Sequence, residues 1–344
     1  MTRSTAFTLK VTLVVFLLGE AIALTGIVPA PHEEFTLLFR ASNAFYVIGF
    51  FLGHVHFLHV MFRPGWREYA LTAAVGIALA ALVFTLDPQA ASRSTRDLSL
   101  LLFTGLGAAS LLAFGARALF ATGLRRAQGR EMLAIALLLE LFGLVGVTCL
   151  YLTGQLHPIT FDVAAFHIDG TFGFQPSVVL ALVAAYWPIV DKLMVNAYDS
   201  ILLCLIALVG LQATSSRRLP VNMLEVYLLS GLFAYVLYHL CPISGPRFLF
   251  EGLFPHSVPA AELVPIDMSF VKQTARNAMP SMHFAAALLA WMNAAYFGRW
   301  ARALFALIAG LTVLATLGLG EHYLVDLVAG VRSEERRVGK ECRL

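Results

Sequence analysis

The sequence predicts an all-α fold, a polytopic transmembrane helical bundle, and three observations carry that prediction. Of 344 residues, 59% are hydrophobic and only 13% are charged, where a soluble domain carries about 25% charge. Mean hydropathy is +0.78. Apolar runs long enough to cross a bilayer recur from end to end. Disordered chains are polar and charge-rich, so disorder is excluded. A compact water-soluble enzyme is excluded because too little polar surface remains to cover the apolar mass. The net charge of +3 is too small to argue for nucleic acid. The four cysteines, Cys149, Cys204, Cys241 and Cys342, lie far apart with no C-x-x-C, so neither a zinc site nor a disulfide framework is indicated.

At ~20 residues per span the chain accommodates up to about ten crossings. The runs place them near 7–28, 42–62, 69–86, 98–122, 132–153, 194–213, 223–242, 282–297 and 301–319, with a last run from Glu321 that is cut short. The first run lacks a small-residue cleavage site and contains Glu20, so it reads as a span rather than a signal peptide. Lys and Arg in the alternate loops divide ten against seven when the N-terminus is placed inside. Residues 154–175 mix aromatics, acids, Gly and Pro and do not read as a span, and 176–192 reads as a short helix in the interface, with Trp187 as an aromatic anchor. The longest connection is 243–281, punctuated by Pro246, Pro255, Pro259, Pro265 and Pro280. After Gly330 the apolar pattern stops, and eight of the thirteen residues from Arg332 to Leu344 are charged. The expectation is a truncated last span followed by a foreign or frameshifted tail. The chain thus divides into an N-terminal region of about five spans (1–153), a membrane domain with polar clusters (154–331) and a charged tail (332–344).

Three clusters in the second region carry chemistry: C-P-I-S-G-P-R-F from Cys241, R-N-A-M-P-S-M-H from Arg276, and G-E-H-Y-L-V-D from Gly320. The span pattern brings His283, His322 and Arg247 to one membrane surface, the outer one. A phosphoester needs cationic donors for its non-bridging oxygens, and arginine supplies a planar bidentate fork. Pro280-Ser281 ahead of an apolar run reads as a helix start, whose N–H groups suit a phosphate. His322 and Asp326 are four apart and share a helical face. The acid can fix the imidazole tautomer, His322 can then attack phosphorus, and His283 can protonate the leaving oxygen. His54, His56 and His59 read as bundle-lining, with no carboxylate beside them and no metal or haem role. Asp162 and Asp169 read either as stabilisers of the outer loop or as contacts to a polar headgroup.

The clusters resemble the type 2 phosphatidic acid phosphatase superfamily. Its pattern joins a Lys/Arg-rich first motif, P-S-G-H, and an Arg-containing motif that ends in H-x-x-x-D. This chain carries P-S-M-H (Pro280, Ser281, His283) and H-Y-L-V-D (His322, Asp326). It departs at Met282 in place of glycine, at a first motif reduced to Gly245-Pro246-Arg247, and at Thr316 where the third-motif arginine is expected. Those departures, and the stretch from Thr160 to Ser177, look like the inositol phosphorylceramide synthase-like branch. The resemblance covers about residues 155–331. It implies a helical catalytic core with His322 as nucleophile, Asp326 as its orienter and His283 as acid. It also implies phosphate contacts from Arg247 and Ser281, with Arg276 replacing the missing third-motif arginine, and it requires no metal or other cofactor. The expected partner is a membrane lipid phosphate, with a lipid hydroxyl as possible acceptor, at the extracytoplasmic face of the plasma membrane. The competing reading is a transporter or lipid-binding membrane protein with a relic site.

Overall fold

The computed structural model describes residues 44–86, 95–214, 222–266, 269–271 and 274–330. The expected first span (7–28) and the charged tail (332–344) lie outside them. The regular structure of the described residues is helical, apart from one two-residue antiparallel ladder, β1 (Ile159–Thr160) on β2 (Ser269–Phe270). Among the described residues, five helices are long and apolar enough to cross a membrane: Trp66–Leu86, Leu101–Phe120, Pro188–Gln212, Met223–Leu240 and Arg299–Gly318.

The chain forms two compact units. In the first, α1 (Ala44–Met61) and α2 (Trp66–Leu86) both pack on α3 (Thr95–Phe120), and α4 (Gly123–Leu156) runs on from here into the second unit. Glycines let the backbones approach. A Cβ at Gly107 would meet the Leu52 carbonyl oxygen at 2.0 Å, and one at Gly105 would meet that of Gly76 at 2.2 Å. Only Thr72, Gly76 and Ala80 of α2 are buried, and Leu71, Ile77 and Leu82 stand exposed, as lipid-facing side chains do. The histidines of α1 are buried, and the expectation that no carboxylate accompanies them is corrected. The His59 Nε2 lies 3.6 Å from Glu68, which also pairs with Arg117, and His56 Nδ1 shares a 3.1 Å hydrogen bond with Ser110. Glu68 opens α2, several residues beyond α1 in sequence, so no spacing rule within one helix reveals the contact.

The second unit contains α5 (Asp162–Gly170), α6 (Pro176–Tyr186), α7 (Pro188–Thr214), α8 (Met223–Leu240), the short α9 (Pro246–Leu249), α10 (Met282–Ala294), α11 (Arg299–Gly318) and α12 (residues 324–330). The interfacial helix read over 176–192 ends at Tyr186 instead. Trp187 is extended (φ −124°, ψ 91°) and Pro188 begins the next helix, as proline restricts the residue before it. The span read over 282–297 is helical only to Ala294 and finishes in a 3-10 turn, Ala295–Phe297. Helix α10 packs on α11 and α8, and α11 packs on α6. Ala165 and Phe166 of α5 join Ile243, Phe250, Ala278 and Tyr323 in one buried cluster. That cluster ties the three polar motifs together from beneath.

Candidate active site

The second motif forms a helix start. Ser281 is the N-cap of α10, and its side chain accepts from the Phe284 N–H at 3.4 Å. The cap is also the floor of a histidine site. Ser281 Oγ lies 3.2 Å from His322 Nε2, and both residues are buried. The other ring nitrogen, His322 Nδ1, lies 2.8 Å from the Ala278 carbonyl and 3.7 Å from Asp326 Oδ2. A carbonyl only accepts, so Nδ1 carries the proton and Nε2 presents its lone pair toward Ser281. The sequence points to Asp326 alone for that orienting job. The nearer acceptor is a backbone carbonyl, which no side-chain pattern encodes. Asp326 in turn accepts from Tyr323 N at 2.8 Å, and its own carbonyl accepts from Ser281 N at 3.3 Å.

His283, at the first turn of α10, faces the same space. Its ring centroid is 6.4 Å from that of His322, and it stacks on Tyr198 of α7 at 3.8 Å with an interplanar angle of 20°. Tyr198 had no signal in the sequence, since a lone tyrosine in an apolar helix looks like any core aromatic.

The first motif meets the third through the backbone. Arg247 N donates to the Gly320 carbonyl at 3.1 Å. Gly245 sits at φ +115°, and a Cβ there would lie 2.5 Å from the Glu321 carbonyl oxygen. Only glycine permits both the dihedral and the approach. The half-exposed Arg247 side chain pairs with Glu321 at 2.8 Å. Glu321 therefore sets where the guanidinium rests, a role not foreseen.

Arg276 does not lie between the two histidines as expected. It is fully buried, and its guanidinium donates to the His157 carbonyl (2.9 Å), Ser244 Oγ (2.8 Å) and the Val271 carbonyl (3.1 Å), while its N–H donates to Thr153 Oγ1 (2.9 Å). Burial lowers its pKa, and the negative charge of Asp162 opposes that. Its donors tie the first-motif loop, through Ser244, to the end of α4 and to the residue after β2. Position in a long loop gives no hint that an arginine will be buried.

Asp162 and Asp169, the first and eighth residues of α5, are both fully buried. Asp162 accepts from Ser244 N, from Gly245 N at 2.8 Å and from the Tyr323 hydroxyl at 3.1 Å. Asp169 accepts from Leu324 N at 2.7 Å and Val325 N at 3.1 Å. Burial pushes both carboxyls up, Asp169 to about 6, and these hydrogen bonds pull against the shift. The spacing i, i+7 on one short helix, which puts both acids on one face, was the available signal. Among the described residues no group of three or more His, Cys, Asp or Glu side chains is arranged to hold a metal ion.

Apolar helices of spanning length and a buried serine and histidine pair at a helix start fit a membrane phosphatase-like enzyme. Residues 164–333 match the family model described as the PAP2 superfamily, and the match supports membership of this segment in the type 2 phosphatidic acid phosphatase superfamily. That superfamily comprises phosphatases and phosphotransferases and acts on lipid phosphates. No curated protein and no solved structure matches the chain.

Proposed function

We propose that this protein is a membrane enzyme that cleaves or transfers lipid phosphoesters through a phosphohistidine at His322, at the extracytoplasmic surface. The observation that carries the reading is the His322 ring, with Nδ1 tied to the Ala278 carbonyl and Nε2 turned to Ser281 at the start of α10. A nucleophile needs one nitrogen held and the other presented. Ser281 Oγ and the N–H groups at the start of α10 offer donors to a phosphoryl oxygen in the same place, and Arg247 supplies the cation. The Nε2 lone pair forms a bond to phosphorus as the ester P–O bond breaks. His283 gives its proton to the departing oxygen. In the second half, His283 takes a proton from the acceptor hydroxyl, whose oxygen attacks phosphorus and frees His322. Asp326 and the Ala278 carbonyl stabilise the imidazolium character that Nε2 acquires.

Water as acceptor makes the protein a phosphatase. A lipid hydroxyl makes it a phospho-headgroup transferase of the inositol-phosphate type, the branch that Met282 and Thr316 favour. Arg276 is withdrawn from the phosphate contacts, because its donors are held by protein acceptors. The relic-site transporter is disfavoured, because an unused site has no reason to keep its nucleophile hydrogen-bonded on both nitrogens. The test is phosphate release from a panel of lipid phosphates, run beside headgroup transfer to a labelled diacylglycerol or ceramide. Activity in one arm assigns the acceptor, and silence in both would remove the reading.

A further inference from the structure

We infer that α5 is the positioning element of this site: Asp162 sets the first motif against the third, and Asp169 fixes the helix that begins just after the nucleophile. The inference rests on the phosphohistidine reading for its kinetic consequence. Its geometry stands on hydrogen bonds alone.

Asp162 reaches both loops at once. One carboxylate oxygen accepts from Gly245 N at 2.8 Å and from the Tyr323 hydroxyl at 3.1 Å. Ser244 N donates to both oxygens, at 3.2 and 3.1 Å. Gly245 precedes Pro246-Arg247, and Tyr323 follows His322, so a single buried side chain couples the place of the phosphate-binding arginine to that of the nucleophile. Arg276 completes the clamp from the other side by donating to Ser244 Oγ at 2.8 Å. Asp169, two turns along the same face, caps the N–H groups of Leu324 and Val325. Those groups open α12, the helix that carries Asp326. Neither acid touches the space between His283 and His322, so both act through other residues. Asp162 lies outside the segment that matches the superfamily, which ends at residue 164 on that side.

The two acids have separable signatures. Asp169 supports only the third motif, so Asp169→Asn lowers kcat with KM unchanged. Asp162 also supports the Arg247 loop, so Asp162→Asn lowers kcat and raises KM. Displacement of a reacting group by about 1 Å is worth about 10²-fold, which sets the expected loss in kcat. Tyr323→Phe removes a single bond to Asp162. It lowers kcat in the wild-type background and adds nothing to Asp162→Asn, because the two share one interaction.

The experiment uses the full chain in detergent, with phosphatidic acid in mixed micelles as probe, and rates are expressed per folded molecule. Amide hydrogen exchange over residues 320–330 is measured on the same samples. The expected result is faster exchange at Leu324 and Val325 in Asp169→Asn, with the kcat and KM pattern above. Lower melting temperatures with unchanged kcat, KM and local exchange would reduce α5 to scaffold and overturn the inference. A wild-type chain inert toward every lipid phosphate overturns the functional reading instead, and the exchange result alone then decides whether α5 holds the third motif.

Discussion

At the scale of single residues the proposed mechanism separates groups that react from groups that hold. His322→Ala and His283→Ala should each abolish turnover without loss of folded protein. Positioned proton transfer alone is worth about 10²–10⁴-fold, and losing the nucleophile removes more. Near-normal turnover in either variant would take that residue out of the mechanism. Arg276 makes the opposite prediction. Its removal leaves buried acceptors unsatisfied at about 1–3 kcal/mol each, so Arg276→Ala should lower the melting temperature markedly. Arg276→Lys should recover little, since an ammonium lacks the planar fork that reaches the His157 carbonyl, Ser244 and the Val271 carbonyl together. A raised KM at unchanged melting temperature would return Arg276 to the phosphate. The contrast shows what could be read in advance. P-S-M-H and H-Y-L-V-D are contiguous strings whose chemistry follows from residue type and spacing. The fate of Arg276, the stack of His283 on Tyr198 and the Ala278 carbonyl depend on which loops meet, and spacing holds no trace of that.

At the scale of elements, α5 and the glycine of the first motif decide whether the motifs meet. Gly245→Ala places a Cβ 2.5 Å from the Glu321 carbonyl oxygen at a φ of +115°. It should misplace the Arg247 loop and lower both stability and turnover. The sign for Asp169 follows from its raised pKa. The folded chain holds this proton up to about 6, whereas an unfolded carboxyl releases it near the ordinary value of about 4. The stabilisation from Asp169 is therefore full below about pH 4 and is lost as pH rises through about 6. The difference in melting temperature between the wild type and Asp169→Asn should shift in favour of the wild type as pH falls across that window, and a difference independent of pH would contradict the assignment. Helices with long apolar runs, such as Met223–Leu240 and Arg299–Gly318, were legible nearly to the residue, because lipid demands length and apolarity and little else. Helix α5 was not, because it is short, carries acids and is ordered by the loops that it binds.

At the scale of the whole molecule, the membrane character follows from composition and from the five helices of spanning length among the described residues. The proposed extracytoplasmic placement of the site rests on the charge alternation of the loops in the sequence and is open to direct test. In a chain freed of its native cysteines, a membrane-impermeant thiol reagent applied to intact cells should label a cysteine at Ser257 and spare one at Ser215. The reverse would move the site to the cytosol. The central claim is the covalent intermediate on His322, and rapid acid-free trapping with a phosphorus-labelled lipid phosphate addresses it most directly. The account predicts label on the protein that survives base, is lost in acid, maps to His322 and vanishes in His322→Ala. An acid-stable label on Ser281, or undiminished labelling in His322→Ala, would contradict it.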